Sequence, residues 1–236
     1  MKILIATDLY LPLVNGVVTS VINLKKELIK RGHEVKVLTL SQKNSNNNED
    51  DVWYLPSIGA GSVYPQARVI RTLPIRIIKE IVHWSPDIIH TQCEFSTFFI
   101  AKRISKKLNI PLIHTYHTVY EDYTHYFINS EYIGKRVVAK FSNYILSGTK
   151  AVIAPTEKVR DILEKYNVEK PIYTVPSGIS IDEVSKRAPK KETDKLKKSF
   201  NIPEDKKVLL YLGRLAKEKN ISELIKFYKK ADLSDG

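Results

Sequence analysis

The sequence predicts an α/β protein built on a doubly wound parallel sheet, followed by the start of a second domain of the same Rossmann-like kind. Three observations predict it. Short apolar runs of strand length alternate along the chain with stretches whose apolar residues recur at helical spacing. Those runs are flanked by helical stretches on both sides, as in a parallel sheet covered on both faces. After Pro176-Ser177-Gly178 the composition turns basic and lysine-rich, and a strand, loop and helix pattern begins again.

Residues 2–7 form the first strand, and Thr7 and Asp8 interrupt the apolar run. Residues 17–30 form the first helix, with Val17, Val21, Leu24 and Leu28 on one stripe and Gly32 closing it. Residues 34–40 supply the next strand and complete a βαβ unit. Further strands are expected at 52–55, 88–90, 112–116, 151–154 and 172–175. The polar run 42–51, with Asn46-Asn47-Asn48, has nothing apolar to bury and reads as a loop. Residues 1–180 are therefore expected to be one domain. Residues 181–236 hold a linker, a short helix within the basic stretch 185–198, a strand at 207–212 and a helix at 221–230. One βα unit cannot bury its own apolar face, so the second domain is expected to be cut short.

Composition narrows the function classes. With 43% hydrophobic and 27% charged residues the chain has the make-up of a soluble globular protein. Its single cysteine, Cys93, excludes an internal disulfide framework and a cysteine-based zinc site, and fits the cytosol. Neither a signal peptide nor a spanning segment is expected. Lys plus Arg number 38 against 26 for Asp plus Glu, and the resulting +12 favours anionic partners. Nucleic acid is not expected among them, because no recognition motif accompanies the charge.

In an open parallel sheet ligands bind at the carboxyl ends of the strands, so the loops there hold the candidate residues. The first runs from Asp8 to Gly16, which lies at a helix N-terminus where free N–H groups and the helix dipole favour phosphate. It has one glycine and lacks the three-glycine dinucleotide fingerprint; on its own, Asn15-Gly16 reads first as a helix cap. The loop Tyr116-His117-Thr118-Val119-Tyr120-Glu121-Asp122-Tyr123-Thr124-His125-Tyr126 is dense in donors and acceptors, as sugar hydroxyls require, and reads equally as a surface loop whose aromatics cover the sheet edge. His117 and Glu121 have no second ligand pair, so a metal is not expected. In Gly213-Arg214-Leu215-Ala216-Lys217-Glu218-Lys219-Asn220, Arg214 and Lys219 have the charge to meet a diphosphate, or else form a solvated basic turn.

The order of these segments resembles glycosyltransferase family 4. The resemblance rests on the run from Asp8 to Ser20, on Pro86-Asp87-Ile88-Ile89-His90-Thr91-Gln92-Cys93-Glu94-Phe95-Ser96 and on His114-Thr115-Tyr116-His117-Thr118. It extends to Ala154-Pro155-Thr156-Glu157, Pro176-Ser177-Gly178-Ile179 and the run from Gly213 to Lys219. Asn-Gly-Val, Glu-Phe-Ser and the tyrosine-rich loop are most similar to the Gram-positive bacterial members that transfer glucose from UDP-glucose to diacylglycerol. The resemblance implies a GT-B architecture and transfer with retention of anomeric configuration, with no cofactor beyond the nucleotide sugar and no obligatory metal. It implies that His117 lies beside the transferred sugar as the catalytic residue, and that Gly16, Arg214 and Lys219 meet the donor phosphates. Asn15, Thr19, Glu94, Thr118, Glu121 and Tyr123 are implied on the acceptor side. Leu9 and Cys93 depart from the family's usual small polar residue and threonine. The acidic pair expected at the sugar and ribose falls beyond Gly236, so the chain is expected to bind donor weakly and turn over little.

Residues 66–84 set Arg68, Arg71, Arg76 and Lys79 among eight branched apolar residues, interrupted by Pro74. With a lipid or glycolipid acceptor, this segment is expected to rest on an anionic membrane, placing the protein peripherally on the inner face of the cell membrane. Without that acceptor it reads as a core helix with a basic edge. A UDP-sugar epimerase and a non-catalytic partner subunit of the same fold are the alternatives.

Overall fold

The structure, a computed structural model, describes residues 1–42, 50–60, 67–118, 131–181, 185–203, 208–213, 215 and 219–231. Most of the expected loop at 42–51 lies outside the described residues. The chain divides into two compact units, Met1–Ser180 and Ile181–Gly236.

The first unit begins β1 (Lys2–Ala6), α1 (Gly16–Lys30), β2 (Glu34–Leu40), β3 (Val52–Leu55), β4 (Ser57–Gly59) and β5 (Arg68–Ile70). It continues α2 (Ile75–Trp84), β6 (Ile88–Thr91), α3 (Ser96–Leu108), β7 (Leu112–Thr115) and α4 (Glu131–Leu146). It ends β8 (Ala151–Ala154), α5 (Glu157–Lys165) and β9 (Ile172–Thr174). Seven strands form one parallel sheet in the order β3-β2-β1-β6-β7-β8-β9. The order reverses between β1 and β6, and the two loops leaving those strands flank the crevice that such a reversal creates.

Alternation along each strand builds a core on either face. Leu4, Ala6, Leu38 and Leu40 belong to the core that also holds Ile81 of α2, Phe98 of α3, Ile145 of α4 and Leu163 of α5. Ile3, Ile5, Val35 and Val37 turn the other way, to Val21 of α1. Each such side chain fully buried contributes about 1.5–3 kcal/mol, which is why the apolar runs accept no other phase. Val17, Leu24 and Leu28 also pack against the second core, so the predicted stripe of α1 is the face it buries. Asn15 caps α1 by accepting the Val18 N–H at 3.0 Å.

Two features depart from the expected elements. β4 and β5 pair antiparallel in a separate two-stranded sheet; strands of three residues are too short to show a period in sequence. The basic segment 66–84 therefore divides into β5 and α2, which starts directly after Pro74. The second correction concerns the strand expected at 207–212. Lys207 lies outside the described residues, and 208–212 form no strand. No strand stands beside this run among the described residues of its unit to take up its hydrogen bonds, and Val208, Leu209, Leu210 and Leu212 are exposed. The second unit has two described helices, α6 (Lys190–Ser199) and α7 (Ile221–Lys230), neither with a buried residue. Among the described residues no helix is long and apolar enough to cross a membrane.

Candidate functional site

The carboxyl ends of β1, β6 and β7 lie side by side, and their polar residues are bonded to one another. At the tip of β1, the Asp8 N–H donates to Cys93 Sγ at 3.1 Å, and Asp8 Oδ1 accepts the Thr97 N–H at 2.8 Å. Asp8 thus satisfies a free donor in the first turn of α3 from a strand 89 positions away. Burial pushes its carboxyl above the usual range, against the Thr97 N–H, which pulls it down. Burial, then the Asp8 charge, also push the Cys93 thiol well up, which keeps it a neutral hydrogen-bonding group.

Between β6 and β7 the register sets two polar rungs on one face and a third pairing on the other. His90 Nε2 lies 2.7 Å from Thr115 Oγ1, and His117 Nε2 lies 2.6 Å from Gln92 Oε1. On the opposite face His114 Nδ1 lies 2.8 Å from Thr91 Oγ1, and its Nε2 lies 3.3 Å from Glu94 Oε1. Burial holds His90 down at about 3 and His117 at about 4, so both are neutral imidazoles at neutral pH. Beyond burial, His114 lowers both groups, while Glu94 acts in the opposite sense on His117. A neutral imidazole positions a hydroxyl through a directed hydrogen bond, whereas a cation would compete for phosphate.

The loop leaving β1 is pinned by Tyr10, which is buried in the α1-side core. Lys25 of α1 reaches Asp51 at 2.7 Å and lies 5.9 Å from the Tyr10 ring centre. Asp51 and Tyr10 hold the Lys25 ammonium up, against its partial burial. With Asn15 serving Val18, the N–H groups of Gly16 and Val17 have no acceptor among the described residues. A Cβ at Gly16 would meet nothing within 4 Å, so open space borders this helix end.

The residues named from the sequence are placed unevenly. His117 and Thr118 are half-buried at the tip of β7, and Gly16 and Thr19 are exposed on the first turn of α1. The Asn15 side chain is engaged as a cap. Glu94 is buried, its carboxylate turned to His114. Lys219 belongs to the second unit and is exposed. Glu121, Tyr123 and Arg214 lie outside the described residues. Arg68 leaves the exposed basic set, because its guanidinium donates to Ser57 Oγ at 2.7 Å and to the Ser57 carbonyl at 2.9 Å. Arg71, Arg76 and Lys79 remain exposed, with Arg76 bonded to Glu80. Sequence reasoning assigned no role to Asp8, His90, Gln92 or His114. The available signal was four polar residues in or beside strands otherwise built of buried apolar ones.

A parallel sheet that reverses beside an open helix end, with neutral histidines at its strand tips, defines a doubly wound, Rossmann-like α/β protein. A profile of Glycosyltransferase Family 4 matches residues 14–183, and the chain belongs to that family. It is 37% identical to the alpha-monoglucosyldiacylglycerol synthase of Streptococcus pneumoniae over 229 residues, covering 95% of this chain and 51% of that one. It is 32% identical to the enzyme of the same name from Acholeplasma laidlawii, covering 97% of this chain and 60% of that one. The chain thus spans a little over half the length of these curated relatives. Two solved structures share the fold. Sucrose-phosphate synthase from Thermosynechococcus elongatus superimposes with a TM-score of 0.59 at 17% identity, over 98% of this chain and 60% of that one. Anabaena HepE, in complex with UDP and glucose, gives 0.55 at 16% identity, over 85% and 50%.

Proposed function

We propose that this chain supplies the acceptor-side domain of a retaining hexosyltransferase that moves glucose from UDP-glucose to diacylglycerol or a glycolipid. The observation that carries the proposal is the neutral His117, held at the tip of β7, on a sheet whose strand β1, on the far side of β6, leads to the open N-terminus of α1. In this reading the orphan N–H groups of Gly16 and Val17, with Arg214 and Lys219, take the charge of the departing diphosphate. His117 orients the hexose by a hydrogen bond. The acceptor hydroxyl attacks from the face the nucleotide leaves, and a phosphate oxygen takes its proton. The protein contributes chiefly position and charge, and the proposal requires no metal ion and no further cofactor. With the donor-side domain present alongside this one, the expected result is labelled glucose passing from UDP-glucose into a lipid product, with the α-linkage kept, when diacylglycerol is present in micelles. UDP-glucose turned into an epimer with no acceptor present would replace the transferase by an epimerase.

The same reading places the protein on an anionic membrane at the inner face of the cell. Leu73 and Ile75, both exposed, adjoin Arg71, Arg76 and Lys79 where α2 begins, so apolar and cationic groups share one surface. Replacing Arg71 and Lys79 by glutamate is expected to lower recovery on acidic liposomes by about fivefold per cation removed, or more, and to leave neutral liposomes unaffected. Equal flotation of parent and variant would remove this surface from the proposal.

A further inference from the structure

Gln92 stands at the end of β6 with its side chain buried, and it uses only half of its amide. Its Oε1 lies 2.6 Å from His117 Nε2, while its Nε2 is buried with no hydrogen-bond partner among the described residues. A stranded amide donor is costly, and an aliphatic side chain would fill similar volume without one. Packing therefore does not call for glutamine here; what glutamine adds is the acceptor oxygen aimed at His117.

Proton counting gives that contact a direction. An amide oxygen has no hydrogen to give, so the proton of this bond sits on His117 Nε2. A neutral imidazole has a single N–H, so Nδ1 carries the lone pair. Among the described residues nothing else is bonded to the ring, and Nδ1 is the nitrogen left for a ligand. The backbone of Gln92 is fixed as well, since its N–H donates to the Ala6 carbonyl at 2.8 Å. The neighbouring rung, His90 to Thr115 at 2.7 Å, braces the same pair of strands.

We propose that Gln92 is a positioning residue that locks His117 in the Nε2–H tautomer, so that the atom offered to the ligand is Nδ1, a hydrogen-bond acceptor. The partner it suits is a hydroxyl, which can donate; a carboxylate or a phosphate oxygen cannot. Resting on the transferase reading, this names a feature of the hexose the site takes: a neutral sugar is accepted where its carboxylate counterpart would face a lone pair. Turned over, the Gln92 amide would donate to Nε2 instead and leave Nδ1–H, the opposite polarity.

The test is the ring-nitrogen spectrum of the 236-residue chain, labelled with nitrogen-15 and recorded near neutral pH with no sugar nucleotide present. His117 is assigned by its loss in His117→Gln, and exposed His83 serves as the reference imidazole in the same tube. The Nε2–H to Nδ1–H ratio of His117 is expected to exceed that of His83 by about fivefold, the worth of one net hydrogen bond. In Gln92→Met, which keeps the chain length and offers only a weak acceptor, the ratio is expected to fall to that of His83. Gln92→Leu gives the same reading if the methionine variant fails to fold. A proton on Nδ1 in the parent, or an unchanged ratio in the folded variants, overturns the proposal. Because no donor or acceptor is present, a failure here leaves the transfer reading intact, and a failed transfer assay leaves the tautomer result standing.

Discussion

Replacing His117 by alanine, in a protein that carries this domain together with the donor-side domain, is expected to cut glucosyl transfer by about 10²-fold or more, with the urea midpoint of the first unit little changed. The ring is only half-buried and makes one described hydrogen bond, to Gln92, so its removal opens little core. On the proposed reading it withdraws a directed contact to the sugar, and a misplacement of about 1 Å at a reacting centre can cost about 10²-fold in rate. His117→Gln keeps a polar group and is expected to fall between alanine and the parent. Arg214→Ala is expected to act as strongly, through the charge of the leaving diphosphate rather than through the sugar. Transfer into diacylglycerol is the measurement, and an unchanged rate in His117→Ala would take this residue out of the reaction.

The second large effect is on stability at acid pH. In the folded first unit His90 stays neutral down to about 3 and His117 down to about 4, against an ordinary value of 6.5 for both. The unfolded chain takes up these two protons below about pH 6.5 and the folded chain does not, so acid favours unfolding. The stability is complete above about pH 6.5 and is lost as pH falls towards about 4 and then about 3, on the order of a few kcal/mol. Asp8 works in the opposite sense, because its raised carboxyl binds a proton in the folded state first. Its contribution is a gain as pH falls, setting in at its raised folded value and complete below the ordinary 3.8. Urea midpoints at about pH 7 and about pH 4.5 are expected to separate clearly, and His90→Asn is expected to narrow the gap. Coincident midpoints would show that the buried imidazoles are protonated without cost.

The two expectations differ in how far the sequence alone announced them. His117 was legible, because it stands in a loop crowded with polar residues after an apolar strand and in a string that resembles a known family. His90 was not, because a single histidine in an apolar run looks the same whether it faces a neighbouring threonine or solvent. Glu94 was legible as a polar residue near the site, yet its burial against His114 was not. Arg68 counted as one of four cations until its bonds to Ser57 set it apart from the other three.

By itself the sequence determined the strands at 34–40, 52–55 and 151–154, the stripe of α1 and the cap at Asn15. Those features depend on residues within a few positions of one another, where apolar periodicity and capping are local properties of the chain. The tertiary structure alone decided that Gln92 meets His117 and that His90 meets Thr115, pairs 25 positions apart in each case. It decided as well that Asp8 bonds the first turn of α3 and that 208–212 form no strand. Such pairings follow from which strands lie side by side and in what register, and a register is a relation between distant segments that no short stretch of sequence contains.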